Sequence, residues 1–522
     1  MAAGRQKENE SRPAGTGRAL LWTAGSAVLP GVAHLRTGRR TLGWVILAVY
    51  LVLIAAAVAA ALVAGGDLTM SAAIAVQGRW LLTAAAVAFA IAVLWMTVVV
   101  HSWVITRPES AGVGTKLAGG TLVVALCLMI AAPAGAVMYA TYTTHDAISS
   151  VFGPEPDDPH GELASRWGDD QARVNVLLIG GDSGSNRYGM RTDSMMVASI
   201  DIEYGDVVLI GIPRNLENAQ FPKGTALAQR FPPPHGFNDL LNEVYQTVAE
   251  NPRELAFDPT AKDPAADTLK GVIAHLLDID LDYYALVDMK GFEGLIDAIG
   301  GIRVHIDKPI PYGQRGDILE PGDRVLTGNE ALWYGRSRVN SDDYTRMGRQ
   351  GCLIKYVAEQ AEPAKILTSF QSLAGAAKQT LRTDIPASRL PAFVALADRV
   401  KNEGEMRTFQ LSPPQVNTAY PDWKEIQRLV SDAIQEQEGQ QGKQGPDTAK
   451  GTPKDASSPV PSVGPSGEKQ EGGQGVGPAH QDDSQVGEST EWQEHPGQSS
   501  PSPTTPGRQV GDAAASLDTL CP

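Results

Sequence analysis

Three apolar stretches, Leu42–Val63, Trp80–Ile105 and Leu117–Tyr142, constrain this chain more than any other feature. Each is long enough to carry a helix across about 30 Å of hydrocarbon, which takes roughly 20 residues. A segment in lipid must satisfy its own backbone hydrogen bonds, so each is expected to be helical. Residues 42–142 therefore read as a membrane region of about three transmembrane helices. Ahead of it, residues 1–41 form a basic N-terminus with Arg5, Lys7, Arg12, Arg18, Arg36, Arg39 and Arg40. The first loop holds only Asp67 and Arg79, whereas Arg107 and Lys116 lie between the second and third spans. Basic residues favour the cytoplasmic side, which places the N-terminus inside and everything after Tyr142 outside. Ala19–Leu35 is shorter and is interrupted by Gly25, Pro30, Gly31 and His34, so it reads as interfacial or re-entrant. If it also spanned, the large domain would lie in the cytoplasm.

Beyond the membrane region, residues 170–434 have ordinary globular composition. Residues 435–522 are rich in Gln, Gly, Ser, Pro and Glu and nearly empty of aromatics, a composition expected to stay disordered because it buries too little apolar surface. The net charge of -15 argues against nucleic acid as a partner. Of the three cysteines, Cys127 lies in an apolar run. Cys352 and Cys521 follow no metal-ligand spacing, and outside the cell they would either pair with each other or stay as two thiols.

The pattern after Thr143 alternates strand with helix. Strands are expected at Val174–Ile179, Ser194–Ile200, Val207–Ile212, Tyr283–Val287 and Ile302–Ile306. Helices are expected at Asn238–Ala249, Ala265–Leu277, Gly291–Ile299 and Ser341–Glu359, with a helical C-terminal part to about Ile434. Such interleaving implies an α/β class, a three-layer α/β/α domain with a central sheet.

Charged side chains recur at the ends of these elements. Asp182 follows a strand and two glycines, where α/β sheets bind ligands; taken alone it reads first as a turn aspartate. Arg191 and Asp193 stand two apart on a strand and share a face if extended. Asp182 and Asp193 would offer two hard oxygen ligands to Mg²⁺. Arg214 leaves the sheet behind Pro213. Arg336 and Arg338, if extended, present two guanidinium groups side by side for a diphosphate. Arg346 and Gln350 share a helix face, and Asp342 and Asp343 near its start suit either a cap or the site. An arginine fork matches phosphate oxygens, so the set suggests a metal-assisted phosphate site.

In order, Asn175–Asp182, Arg191-Thr-Asp-Ser-Met-Met196, Ile212-Pro-Arg214, Asp282–Asp288 with Gly291-Phe292 and Gly300-Gly301, Arg336-Ser-Arg338 and Asp343-Tyr-Thr-Arg346-Met-Gly-Arg-Gln350 resemble the LytR–CpsA–Psr family over residues 172–360. The resemblance implies a membrane-anchored enzyme of the bacterial cell envelope with an extracytoplasmic catalytic domain. Such enzymes transfer a glycopolymer from a polyprenyl diphosphate carrier to peptidoglycan, with Mg²⁺. Asp182 and Asp193 would then bind the metal. Arg191, Arg214, Arg336, Arg338, Arg346 and Gln350 would hold the diphosphate, and the isoprenoid tail would lie in an apolar tunnel under the sheet. Asp193 is the first choice of general base and Asp343 the second. The family pattern has Asp after the Pro-Arg pair where Asn215 stands here, and it often has an Arg two residues beyond the strand-end Asp, for which Arg187 would substitute. Two other readings stay open. With water as acceptor the same site is a diphosphatase. A membrane-bound regulator, a transcriptional attenuator, would need a DNA-binding motif in the cytoplasmic segment, where no helix-turn-helix pattern stands.

Overall fold

The computed structural model describes residues 16–66, 78–108, 112–153, 167, 171–182, 189–313, 316–339, 341–360, 380–441 and 513–521. The disorder expected of residues 442–512, and the role of Arg187, fall outside these.

The apolar stretches form three long helices, α3 (Arg40–Gly66), α4 (Gly78–Thr106) and α5 (Val113–Val151), each long and apolar enough to cross a membrane. The segment ahead of them breaks into α1 (Thr16–Val28) and α2 (Val32–Arg36), because Gly31 turns the chain at φ 99°. At 13 residues α1 reaches about 20 Å, short of the hydrocarbon thickness. α5 is about 58 Å long and runs on into the folded domain. Lys262 fastens its last turn there, donating from Nζ to the carbonyls of Ser149 and Phe152.

A mixed sheet of seven strands forms the middle of that domain, in the order β11-β10-β3-β2-β1-β4-β9. Its strands are β1 (Arg173–Asp182), β2 (Arg191–Asp201), β3 (Val207–Ile212), β4 (Tyr283–Asp288), β9 (Leu381–Thr383), β10 (Met406–Gln410) and β11 (Ala515–Ser516). β1 pairs antiparallel with β2 and parallel with β4, and β3 pairs parallel with β10. β1 to β3 are apolar on both faces, as a sheet covered on both sides requires. Leu177, Ile179, Val197 and Ile210 pack under α6 (Val244–Glu250) and α7 (Pro264–Leu277). Met196, Ala198 and Leu209 pack on the opposite face under α8 (Met289–Ala298), α9 (Gly328–Arg336) and α10 (Asp343–Gln360). The three-layer α/β/α class read from the sequence is the class observed.

Several elements differ from the reading. The part expected to be helical up to Ile434 contains strands β9 and β10 beside its helices α11 (Leu390–Asn402) and α12 (Trp423–Gln441). β10 (Met-Arg-Thr-Phe-Gln) is too short and too polar for a periodicity signal, and pairing with β3 decides its conformation. Small ladders, β5 (Ile302–Ile306) with β8 (Gly322–Leu326) and β6 (Ile310–Tyr312) with β7 (Asp317–Leu319), fill the region before α9. The folded part also takes in both ends of the segment assigned to the tail. α12 continues to Gln441, and residues 513–521 return to add β11 and the short α13 (Leu517–Leu520). Cys521 is joined to Cys352 of α10 by a disulfide, which settles that alternative.

Candidate active site

Antiparallel pairing of β1 with β2 and of β2 with β3 brings Asp182, Arg191, Asp193 and the exit of β3 to one end of the sheet. Asp182 is the last residue of β1 and is buried, and its Oδ2 accepts from Arg336 Nη2 at 3.2 Å. Across from it the ladder slips: Gly180 faces Ser194 and Gly181 faces Thr192, so Asp193 is the extra residue of a bulge. Its carboxylate Oδ1 accepts from Arg214 Nη1 at 2.9 Å and from Asn242 Nδ2 at 3.2 Å. Its carbonyl accepts from Arg346 Nη1 at 2.8 Å.

Asp343 gathers three arginines. Arg346 Nη2 lies at 2.9 Å, Arg214 Nε at 3.6 Å and Arg338 Nη1 at 3.8 Å. Arg346 is 5% exposed, and burying such a charge is tolerable only with close partners. Burial, with Arg214 and Arg338 nearby, pulls its pKa below the ordinary arginine value against the charges of Asp343 and Asp193. Gln350 Nε2 donates to the Gly335 carbonyl at 3.1 Å, and its Oε1 accepts from Ser194 Oγ at 2.9 Å. Arg191 reaches sideways to Glu243, Nε to Oε1 at 2.7 Å.

The sequence placed Arg336 and Arg338 side by side on extended chain; they are not so placed. Arg336 closes helix α9, which a Thr327–Glu330 capping box starts, and Ser337 then turns extended. The two guanidinium groups diverge, one to Asp182 and the other to Asp343. Asp342 is the capping residue of its pair, accepting from Thr345 N at 2.7 Å, while Asp343 belongs to the cluster. Asn215 instead donates to Thr418 Oγ1 at 3.4 Å.

Sequence reasoning missed three supporting residues. Arg349 is buried under the Arg336–Arg338 turn and donates to the Ser337 carbonyl. Its i+3 spacing from Arg346 was a usable signal. Asn242 and Glu243 sit in a 3-10 turn (Leu241–Glu243) that a helical reading of 238–249 hid.

Burial alone would raise the Asp193 carboxyl. The charge and hydrogen bond of Arg214, the charge of Arg346 and the hydrogen bond of Asn242 outweigh it and hold the group below its ordinary 3.8. A carboxyl whose folded pKa is depressed stabilises the fold above its unfolded value and loses that contribution as pH falls through the folded value. Acid unfolding of Asp193→Asn is therefore expected to be shallower than wild type below about pH 4. Superimposable acid titrations of the two proteins, followed by circular dichroism, would contradict the assignment.

Arg191, Arg336 and Arg338 keep 50%, 37% and 52% of their side chains exposed, so their donors are available to an anion over a floor of fixed charge. Among the described residues, no group of three or more His, Cys, Asp or Glu is gathered for a metal ion. Asp182 and Asp193 stand at adjacent strand ends, and each already accepts from an arginine, Arg336 and Arg214 respectively.

A family model described as the LytR_cpsA_psr family matches residues 137–440. Polyisoprenyl-teichoic acid–peptidoglycan teichoic acid transferase TagU of Halalkalibacterium halodurans is 26% identical over 218 residues, covering 41% of this chain and 62% of that protein. The chain thus spans less than two thirds of that relative. The protein of the same name from Bacillus cereus is 24% identical over 259 residues, 49% of this chain and 75% of its own. The crystal structure of B. subtilis TagV aligns at 21% identity and a TM-score of 0.37, covering 51% of this chain and 96% of that one.

Proposed function

Because the chain belongs to the LytR_cpsA_psr family, we propose that it is a cell-wall glycopolymer transferase, moving a glycopolymer from a polyprenyl diphosphate carrier to peptidoglycan. The observation that carries this reading is the convergence of Arg214, Arg338 and buried Arg346 on Asp343, with Asp182 and Arg336 beside them. A diphosphate carries spread negative charge on rigid oxygens, and preset guanidinium forks stabilise such charge with little reorganisation.

In the proposed step a peptidoglycan hydroxyl oxygen attacks the phosphorus that bears the glycopolymer. The P–O bond to the polyprenyl phosphate breaks, that phosphate leaves with the bonding pair, and the hydroxyl proton is released to water. Transfer of this kind depends mainly on alignment and charge neutralisation. Arg336, Arg338 and Arg191 would grip the outer oxygens, while Arg214 and Arg346 keep Asp193 and Asp343 in place. Gln350 would brace the Gly335 backbone behind Arg336. Mg²⁺, if bound, would be held by Asp182 and Asp193 and would neutralise phosphate charge.

The three apolar helices support a membrane anchor. The Cys352–Cys521 disulfide supports an oxidising compartment for the domain, outside the bacterial cell membrane. Replacing Arg336 by Ala is expected to lower transfer from a polyprenyl diphosphate donor about tenfold or more, since it removes one donor and the counter-charge of Asp182. Unchanged turnover of the purified full-length variant would remove the diphosphate role. Water as acceptor would make the same cluster a diphosphatase, and product analysis with and without peptidoglycan strands separates the two.

A further inference from the structure

A cavity of about 580 Å³ opens beside the arginine cluster, between α6 and the ends of β4 and β9. Its walls include Met190, Gln246, Glu250, Leu286, Asp288 and Arg382. The cavity is tied to the site by backbone: Met190 N donates to Gln246 Oε1 at 2.9 Å, and the next residue is Arg191. On its other side Asp288 stands in register with Gly181, the neighbour of Asp182. Behind the wall, Arg382 Nη1 and Tyr245 Oη both donate to the buried Asp263 Oδ2, each at 2.9 Å, which fixes Arg382 at the cavity. Gln246 Nε2 donates to Glu250 Oε1 at 2.9 Å, so the α6 side is also held. Gly189 sits at φ 84°, and a Cβ there would fall 1.8 Å from Gln246 Oε1, so Gly189 itself lies directly on the α6 wall.

We infer that this cavity is the subsite for the acceptor saccharide of the reaction proposed above, and the inference rests on that reading. The lining chemistry selects the occupant. A hydrocarbon tail would cover the second carboxylate oxygens of Glu250 and Asp288 and the outer donors of Arg382, which their existing hydrogen bonds leave over, and that desolvation is costly. A phosphate-rich glycopolymer would bring like charge against Glu250 and Asp288. Sugar hydroxyl and acetamido groups donate to those carboxylates and accept from Arg382 and Gln246, while Met190 and Leu286 cover the apolar faces of a ring. Size fits as well, since small-ligand cavities run from roughly 300 to 1,000 Å³. An acceptor seated here places its hydroxyl next to the Asp182 and Arg191 end of the cluster, where the donor phosphorus is expected.

The test uses the full chain in detergent, a polyprenyl diphosphate-linked saccharide and short peptidoglycan strands. Glu250 is exposed at the end of α6, so Glu250→Ala does not threaten the fold; Arg382→Lys is the second variant and keeps the charge at Asp263. For each variant the ratio of transfer to water-directed cleavage is expected to fall about tenfold through a raised strand KM, the effect of one lost hydrogen bond to a charged group. A raised donor KM with an unaltered strand KM would overturn the assignment in favour of the donor. An unaltered ratio in both variants would also overturn it. A wild-type chain that cleaves no donor would sink the phosphotransfer reading alone. Strand binding measured directly by calorimetry then still decides the cavity, and equal affinity of wild type and Glu250→Ala rejects it.

Discussion

Replacing Arg346 by Ala is expected to lower transfer by roughly 10²–10³-fold, the largest loss of any single arginine in the cluster. Its guanidinium spans two anchors, the Asp193 carbonyl and the Asp343 carboxylate, and is almost wholly buried between them. Removing it frees the bulge of β2, unpairs one side of Asp343 and leaves a cavity at the floor of the anion pocket. The fold should lose about 3 kcal/mol, the low end for a broken buried ion pair, because Asp343 keeps Arg214 and Arg338 and some solvent contact. Arg346→Lys distinguishes charge from geometry. An ammonium restores the charge but has no planar fork for two divergent acceptors, so stability should return further than turnover does. Equal recovery of both in Arg346→Lys, measured by thermal unfolding and donor turnover, would show that charge alone is needed there.

The same residues show how far a sequence can be read. Arg214 and Asp193 were legible because each stands near the end of a strongly apolar strand, and Arg346 because it shares a helix face with Gln350. β1 to β3 were legible for the same reason: Val174–Ile179 and Val207–Ile212 are runs that only a doubly covered sheet accommodates. Arg336 was placed in the site for a mistaken reason. An i, i+2 pair looks like a strand, but the capping box at Thr327 commits the preceding residues to a helix. Asn242 was not legible, because a 3-10 turn has no hydrophobic period, and what holds it is tertiary: Thr192 Oγ1 donates to its carbonyl and its own side chain donates to Asp193. β9 and β10 failed similarly. Short edge-side strands take their conformation from partners far away in sequence, and no local pattern announces those partners.

Thermal unfolding should show that the last residues of the chain hold the active-site helix. Cys521 is bonded to Cys352, two residues beyond Gln350 on α10, and closes a ring across a sequence separation of 169. Around that bond Asp518 Oδ1 lies 3.2 Å from Lys355 Nζ, Leu517 is fully buried in the core facing α10, and β11 pairs with β10. Breaking the bond restores entropy to the unfolded chain and leaves only these weaker contacts to keep residues 513–521 in place. The cost should be about 2–4 kcal/mol, or roughly 6–12 °C in Tm for a domain of this size. Cys521→Ser is therefore expected to melt well below wild type, and added reductant should lower wild type to the same point while leaving the variant where it is. Turnover below the melting range should fall less, because Arg346 and Gln350 are also held from the sheet side by Asp193 and Ser194. A Cys521→Ser protein that melts with wild type would mean that packing of Leu517 and the β11 ladder suffices, and that the disulfide adds nothing to the position of α10.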